Sequence, residues 1–141
     1  MANLSCVPKF LKKEFCDILV AETWKLMLLD NTHIPNAKTQ QFISDVSAKE
    51  ISDVGAVYTA GGVSVAGKVA VAFLNNYYID LDDKVIGPGA TLNYRYGVLF
   101  EDTGTPATSK IRATIDFLED QIVANGKSTI RWNVFGVIYF I

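Results

Sequence analysis

Hydrophobic and polar residues alternate along several short stretches of this chain, with the two-residue period of a β-strand. The clearest stretch is 91–100, where Leu92, Tyr94, Tyr96 and Val98 fall on one face while Asn93 and Arg95 fall on the other. The stretch 111–117 alternates in the same way. Such segments predict strands with one buried and one solvated face.

Eight segments of this kind follow one another, separated by short stretches rich in Gly, Pro, Asn and Asp. Their number and spacing predict an all-β fold with minor helix: a single antiparallel β-sandwich or barrel, with a jelly roll among the candidate forms. The predicted strands are 24–29, 62–65, 68–74, 77–81, 91–100, 111–117, 129–134 and 137–141. The connection 101–110 is predicted to be an exposed hairpin loop.

Helical spacing is found mainly near the amino terminus, where the apolar residues of 9–19 recur every three or four positions. Residues 40–46 could add a single helical turn. We therefore divide the chain into an N-terminal docking segment, 1–22, and a β-sandwich or barrel domain, 23–141.

Composition narrows the class of protein. A chain of 141 residues, half of them hydrophobic, with a mean hydropathy of +0.21, can form an ordinary core and is not disordered. The formal net charge of −2 gives none of the basic excess that nucleic-acid binding requires. No window approaches the ~18 apolar residues of a membrane-spanning helix. We expect neither nucleic acid nor membrane as a partner.

Residues that could support catalysis or bind a metal are few. The single histidine, His33, lies in a polar turn and is expected to be solvent-exposed; pairing with Cys6 or Cys16 is the less favoured alternative. Asp80, Asp82 and Asp83 are close in sequence but lack the glycine and glutamate spacing of an EF-hand loop. We expect no enzyme activity, no cofactor and no metal site.

Some segments carry more apolar residues than one buried face can hold, which predicts an interface. Tyr77 and Tyr78 are adjacent, so strand alternation sends them to opposite faces, and the carboxyl-terminal stretch is apolar on both faces. Because large exposed apolar patches usually mark contacts with other proteins, these positions and the N-terminal segment form the candidate interface. Its residues are Phe10, Leu11, Phe15, Ile18, Leu19, Tyr77, Tyr78, Phe135, Tyr139 and Phe140.

Over about residues 24–141 the chain resembles a family of small β-rich virion proteins of tailed bacteriophages. The most distinctive segments are Tyr58-Thr59-Ala60-Gly61-Gly62 and the run from Tyr96 to Gly104, which reads Tyr-Gly-Val-Leu-Phe-Glu-Asp-Thr-Gly. The resemblance extends to 24–29, 42–46, 50–52, 115–117 and 126–132. It implies a particle component and brings no catalytic residues. The apolar segment 10–19 departs from the family pattern and is interpreted as an added docking element.

Three functions follow from these observations. The favoured one is a capsid decoration or cement protein, made in the host cytoplasm, that binds the capsid surface of the virion and clamps subunits of the major capsid protein. The second is a tail or fibre component, including a receptor- or carbohydrate-binding β module that uses Tyr77, Tyr78 or Tyr96. The third, least favoured, is a small enzyme built on His33 and the acidic cluster. We expect a homo-oligomer, with a trimer favoured.

Overall fold

The computed structural model describes residues 8–134 and 136–140; at Tyr139 and Phe140 only the backbone is described. Its elements are one α-helix, seven strands and two single-turn 3-10 helices, Ile43–Asp45 and Ser47–Lys49. The helix is α1 (Lys9–Ala21), and the strands are β1 (Trp24–Leu29), β2 (Val63–Ser64), β3 (Val69–Phe73), β4 (Asn76–Asp80), β5 (Lys84–Glu101), β6 (Ile111–Ile130) and β7 (Ile138–Phe140).

The described residues divide into two compact units, each with its own antiparallel sheet. The helix unit, which comprises the described residues of 8–22, 66–82, 132–134 and 136–140, contains α1 and a three-stranded sheet of order β3-β4-β7. The hairpin unit, 23–65 and 83–131, contains a four-stranded sheet of order β2-β1-β5-β6. Neither sheet closes on itself, so the all-β prediction is confirmed, whereas its closed-barrel variant is wrong.

The hairpin unit is built on two long strands, β5 and β6, that pair along almost their whole length. Four register shifts interrupt the ladder, near Pro88, Thr91, Arg95 and Arg112. The predicted strand breaks at 87–89 and 125–126 are therefore irregularities inside continuous strands rather than connections. Because bulges absorb extra residues without ending the pairing, turn-forming sequence is tolerated within a strand. The expected strand 129–134 is also wrong in extent, since β6 ends at Ile130.

Both faces of β1 are buried, since Leu26 and Leu28 are 0% exposed on one face, and a core cluster of the hairpin unit lies on the other. Met27 and Leu29 of β1 and Val98 and Phe100 of β5 are buried there, and the segment that follows β1 covers them with Ile43 and Val46. The 102–110 connection is largely exposed, as predicted. Among the described residues, no helix combines the length and apolar character needed to cross a bilayer.

Candidate interaction surface

The helix α1 depends on packing for its stability. It begins after Pro8 and ends at Ala21, where the backbone N–H of Glu22 donates to the carbonyl of Leu19 at 3.2 Å. Its described residues include no acidic residue in the first turn, no basic residue in the last and no side-chain N-cap bond, so the helix dipole is not offset. A helix of thirteen residues without these devices is marginal in isolation.

One face of α1 is buried within the helix unit. Lys12, Cys16 and Leu19, spaced four and three residues apart, are 7%, 0% and 3% exposed. The Lys12 ammonium donates to the Asn76 side-chain oxygen at 2.6 Å and to the Asn75 carbonyl at 3.4 Å, which connects the helix to the β3–β4 turn. Burial raises the pKa of the Cys16 thiol, which keeps it protonated and unreactive.

A second apolar face of α1 points outward. Phe10, Leu11, Phe15 and Ile18, which we call the outer stripe, are 70%, 52%, 47% and 63% exposed. The last three repeat the spacing of the buried face. The outer stripe lies beside the buried face, offset by one residue or about 100° around the helix. Together the two faces make α1 apolar over a wider arc than one buried stripe requires, which indicates that another surface covers the outer stripe.

The outer stripe is large enough to contribute to a protein contact. Two phenylalanines and two aliphatic side chains at these exposures present on the order of 400 Å² of apolar surface. At ~25 cal/mol per Å², covering that surface is worth about 10 kcal/mol before the costs of association are subtracted.

The β3–β4 turn adds apolar residues that the sequence analysis did not include. Phe73 and Leu74 are 43% and 77% exposed, and Lys12 of α1 bonds to the two asparagines that follow them. The predicted strand 68–74 included Leu74, but Phe73 pairs with Asn76, so Leu74 lies in the turn itself. The signal that could have shown this was the short distance in sequence between β3 and β4, which leaves room only for a tight turn.

The other predicted interface residues are distributed differently. Leu19 is buried on the adjacent, packed face of α1, so it contributes to packing and not to the exposed surface expected for it. Tyr77 and Tyr78 are half-buried on opposite faces of β4, and the Lys9 ammonium lies 5.6 Å from the centroid of the Tyr77 ring. Phe135 and the side chains of Tyr139 and Phe140 lie outside the described residues.

In the hairpin unit, carboxylates bind backbone amides and hold the 50–62 segment. Asp53 accepts hydrogen bonds of 2.8–2.9 Å from the N–H groups of Tyr58, Thr91, Gly55 and Val57. These bonds, those from Tyr58 and Thr91 above all, lower the pKa of Asp53 to about 2. The carboxylate therefore stays ionised at neutral pH and fixes the loop to β5.

Glu50 and Tyr58 form a second link, to β1. One oxygen of Glu50 accepts the Tyr58 hydroxyl at 2.8 Å and the N–H groups of Gly61 and Gly62 at 2.8 and 3.1 Å. The Tyr58 oxygen in turn accepts the N–H of Leu28 at 3.0 Å. The Tyr-Thr-Ala-Gly-Gly segment, singled out for its resemblance to virion proteins, thus has a structural role here.

His33 is buried, at 3% exposure, and the prediction of a solvent-exposed histidine is wrong. Its ring lies edge-on to Tyr96 with centroids 5.4 Å apart, and its Nε2 is buried without a hydrogen-bond partner among the described residues. Burial lowers its pKa, so the ring is neutral at pH 7. The sequence around it is polar, which is why its burial was not predicted.

The described residues contain no group of three or more histidine, cysteine or acidic side chains placed to hold a metal ion. Asp80 is half-buried and accepts the N–H of Leu81 at 3.0 Å, while Asp82 and Asp83 are exposed. A groove of about 640 Å³ beside the start of β6 has Lys110 and Arg112 as the charged residues in its described lining. That lining provides no acid–base pair.

Comparison with known proteins adds no assignment: no family model matches the chain, and no match was found among curated proteins or solved structures.

Proposed function

We propose that this protein is a structural component of a tailed-bacteriophage virion, specifically a capsid decoration or cement protein that binds the shell and stabilises contacts between major capsid subunits. The observation that carries the docking role is the outer stripe of α1, an exposed apolar face on a helix whose other face is already packed. The assignment to a phage particle is supported by the sequence resemblance described above.

The contact is non-catalytic in this proposal. Decoration needs affinity and correct placement, which a rigid apolar surface provides. The α1 helix presents three side chains at positions 11, 15 and 18, the spacing with which a helix occupies an apolar groove of a partner. A homo-oligomer, with a trimer favoured, would present several such helices to a shell of matching local symmetry.

The first experiment locates the protein in the intact particle and counts it. Quantitative mass spectrometry gives its copy number relative to the major capsid protein, and cryo-electron microscopy gives its position. Hundreds of copies spread over the shell are expected. A few copies at one vertex or on the tail would instead establish the tail or fibre alternative and overturn the decoration role.

The second experiment tests the outer stripe on the full chain. In the double variant Leu11→Glu/Ile18→Lys, each new charge suits its end of the helix dipole, so α1 is retained. We expect at least tenfold weaker binding to shells that lack the protein. Val54→Lys, at a 91% exposed position of the hairpin unit, is the matched control and should bind as the unaltered protein does. Full shell binding by the double variant would exclude the stripe.

A further inference from the structure

The strand β6 carries a four-residue protrusion that faces a single residue of β5. Tyr96 pairs with Asp116 and Tyr94 with Gln121, so residues 117–120 stand opposite Arg95 alone. The ring of Phe117 packs edge-on against Tyr94 with centroids 5.1 Å apart. The chain then turns outward, and Leu118 follows at the exposed side.

A leucine at position 118 is unfavourable for folding. Its φ is +69°, in the left-handed region that Gly, Asn and Asp adopt most readily, and its side chain is 79% exposed. A leucine here adds backbone strain and an apolar surface without burying that surface. Backbone strain of this kind clusters at functional sites.

Hydrogen bonds from polar side chains hold the protrusion in place. One oxygen of Asp116 accepts the Leu118 N–H at 2.7 Å and Arg95 Nε at 2.8 Å, and the Asn31 amide donates to Asp120 at 3.0 Å. Because the turn is held in place before any contact forms, little ordering entropy is lost when its apex binds.

We propose that Leu118 is a second anchor on the capsid shell, inserted into an apolar socket of the shell protein whose rim carries Lys or Arg. This inference rests on the proposed function, since a clamp needs a contact in addition to α1. The charge near the apex identifies the rim: Glu119 and Asp120 follow Leu118 directly in the chain and are exposed, while Asp116 is ion-paired with Arg95 at 2.8 Å, which leaves a net negative charge. A second copy is disfavoured, because a symmetric contact would place Glu119 and Asp120 against their own equivalents.

The test compares shell binding and thermal stability in the same full-length variants. Leu118→Asn and Leu118→Gly remove the apolar anchor and relieve the left-handed strain. We expect at least tenfold weaker binding to shells that lack the protein, with an unchanged or higher Tm. Ile34→Asn is the control, because Ile34 is also 79% exposed in the hairpin unit and has no left-handed backbone. Its binding should be unchanged.

The charged rim is tested with Glu119→Lys, which should weaken binding and reduce its dependence on salt concentration. Normal binding by both Leu118 variants, while the unaltered protein covers the shell, would overturn the second anchor and leave the decoration role intact. A Tm drop of several degrees in Leu118→Asn would also overturn it, by showing a structural role. If the unaltered protein does not bind shells, the decoration role fails and the shell anchor fails with it.

Discussion

The two units of this protein place their apolar residues in opposite ways. In the hairpin unit, the covering segment is fixed by carboxylates that bind backbone N–H groups, and the apolar side chains of β1 and β5 lie inside. In the helix unit, α1 has apolar side chains on its buried face and on its exposed one. The first arrangement covers a core cluster from within its own unit and exposes apolar side chains at separate positions such as Leu118, whereas the second exposes a contiguous apolar face of one helix.

The largest expected effect contrasts two apolar residues, one from each unit. Leu26 of β1 is fully buried, so Leu26→Ala should lower the free energy of unfolding by about 2–5 kcal/mol. Ile18→Lys should change it by less than ~0.5 kcal/mol, because Ile18 is 63% exposed. Urea denaturation of the full chain measures both. A large loss from Ile18→Lys in the isolated protein would show that the stripe is structural.

The next largest effect tests the polar attachments of the hairpin unit. Tyr58→Phe removes the hydroxyl that accepts the Leu28 N–H and donates to Glu50, and it leaves buried polar groups unpaired. We expect a loss of about 1–3 kcal/mol in unfolding free energy. Tyr77→Phe, in the helix unit, is the control and should stay within ~0.5 kcal/mol. Equal effects from the two variants would remove the distinction between the units.

The sequence predicted the fold class more accurately than the lengths of the individual strands. Alternation of apolar and polar residues identified the middle of β5 and the start of β6, whereas β1 was identified as an apolar run and is buried on both faces. It failed at 87–89 and 117–120, where glycines, a proline or extra residues are absorbed as irregularities between paired strands. Whether such residues end a strand depends on the partner strand, which local sequence does not specify.

The candidate surface was also only partly predictable. Helical spacing identified Phe10, Leu11, Phe15 and Ile18 as apolar positions of one helix, but it could not say which side of α1 would be buried, and Leu19 turned out to be on the packed side. Leu118 gave no signal, because its exposure follows from the register of β5 with β6. The burial of His33 was not predictable from its polar turn, because polar sequence around a residue does not show that the residue itself is exposed.

A smaller effect is expected from pH. Burial lowers the pKa of His33 in the folded protein below its ordinary value near 6.5, so below that pH the unfolded chain binds a proton that the folded chain resists. Stability should therefore fall as the pH drops from 7.5 to 5.5, measured as a lower Tm. Among its neighbours, Asp30 opposes the shift and Lys49 adds to it.

The control for this pH effect is His33→Phe, which keeps an aromatic ring and removes the titrating group. Its Tm should vary less over the same range. Asp53 does not contribute there, because its low pKa affects stability only as the pH falls below about 4 toward 2. An unaltered slope in His33→Phe would assign the pH dependence to other groups.

The smallest expected effect comes from Leu74, which has the same left-handed backbone as Leu118 of the hairpin unit. Its φ is +53°, in the β3–β4 turn, and its side chain is 77% exposed. Leu74→Asn should raise the unfolding free energy by about 0.5–1 kcal/mol, since asparagine adopts the left-handed region at lower cost than leucine. Denaturant midpoints at constant m-value measure the gain. A loss of stability instead would mean that Leu74 packs within the helix unit, and that the exposed apolar surface of this unit ends at α1.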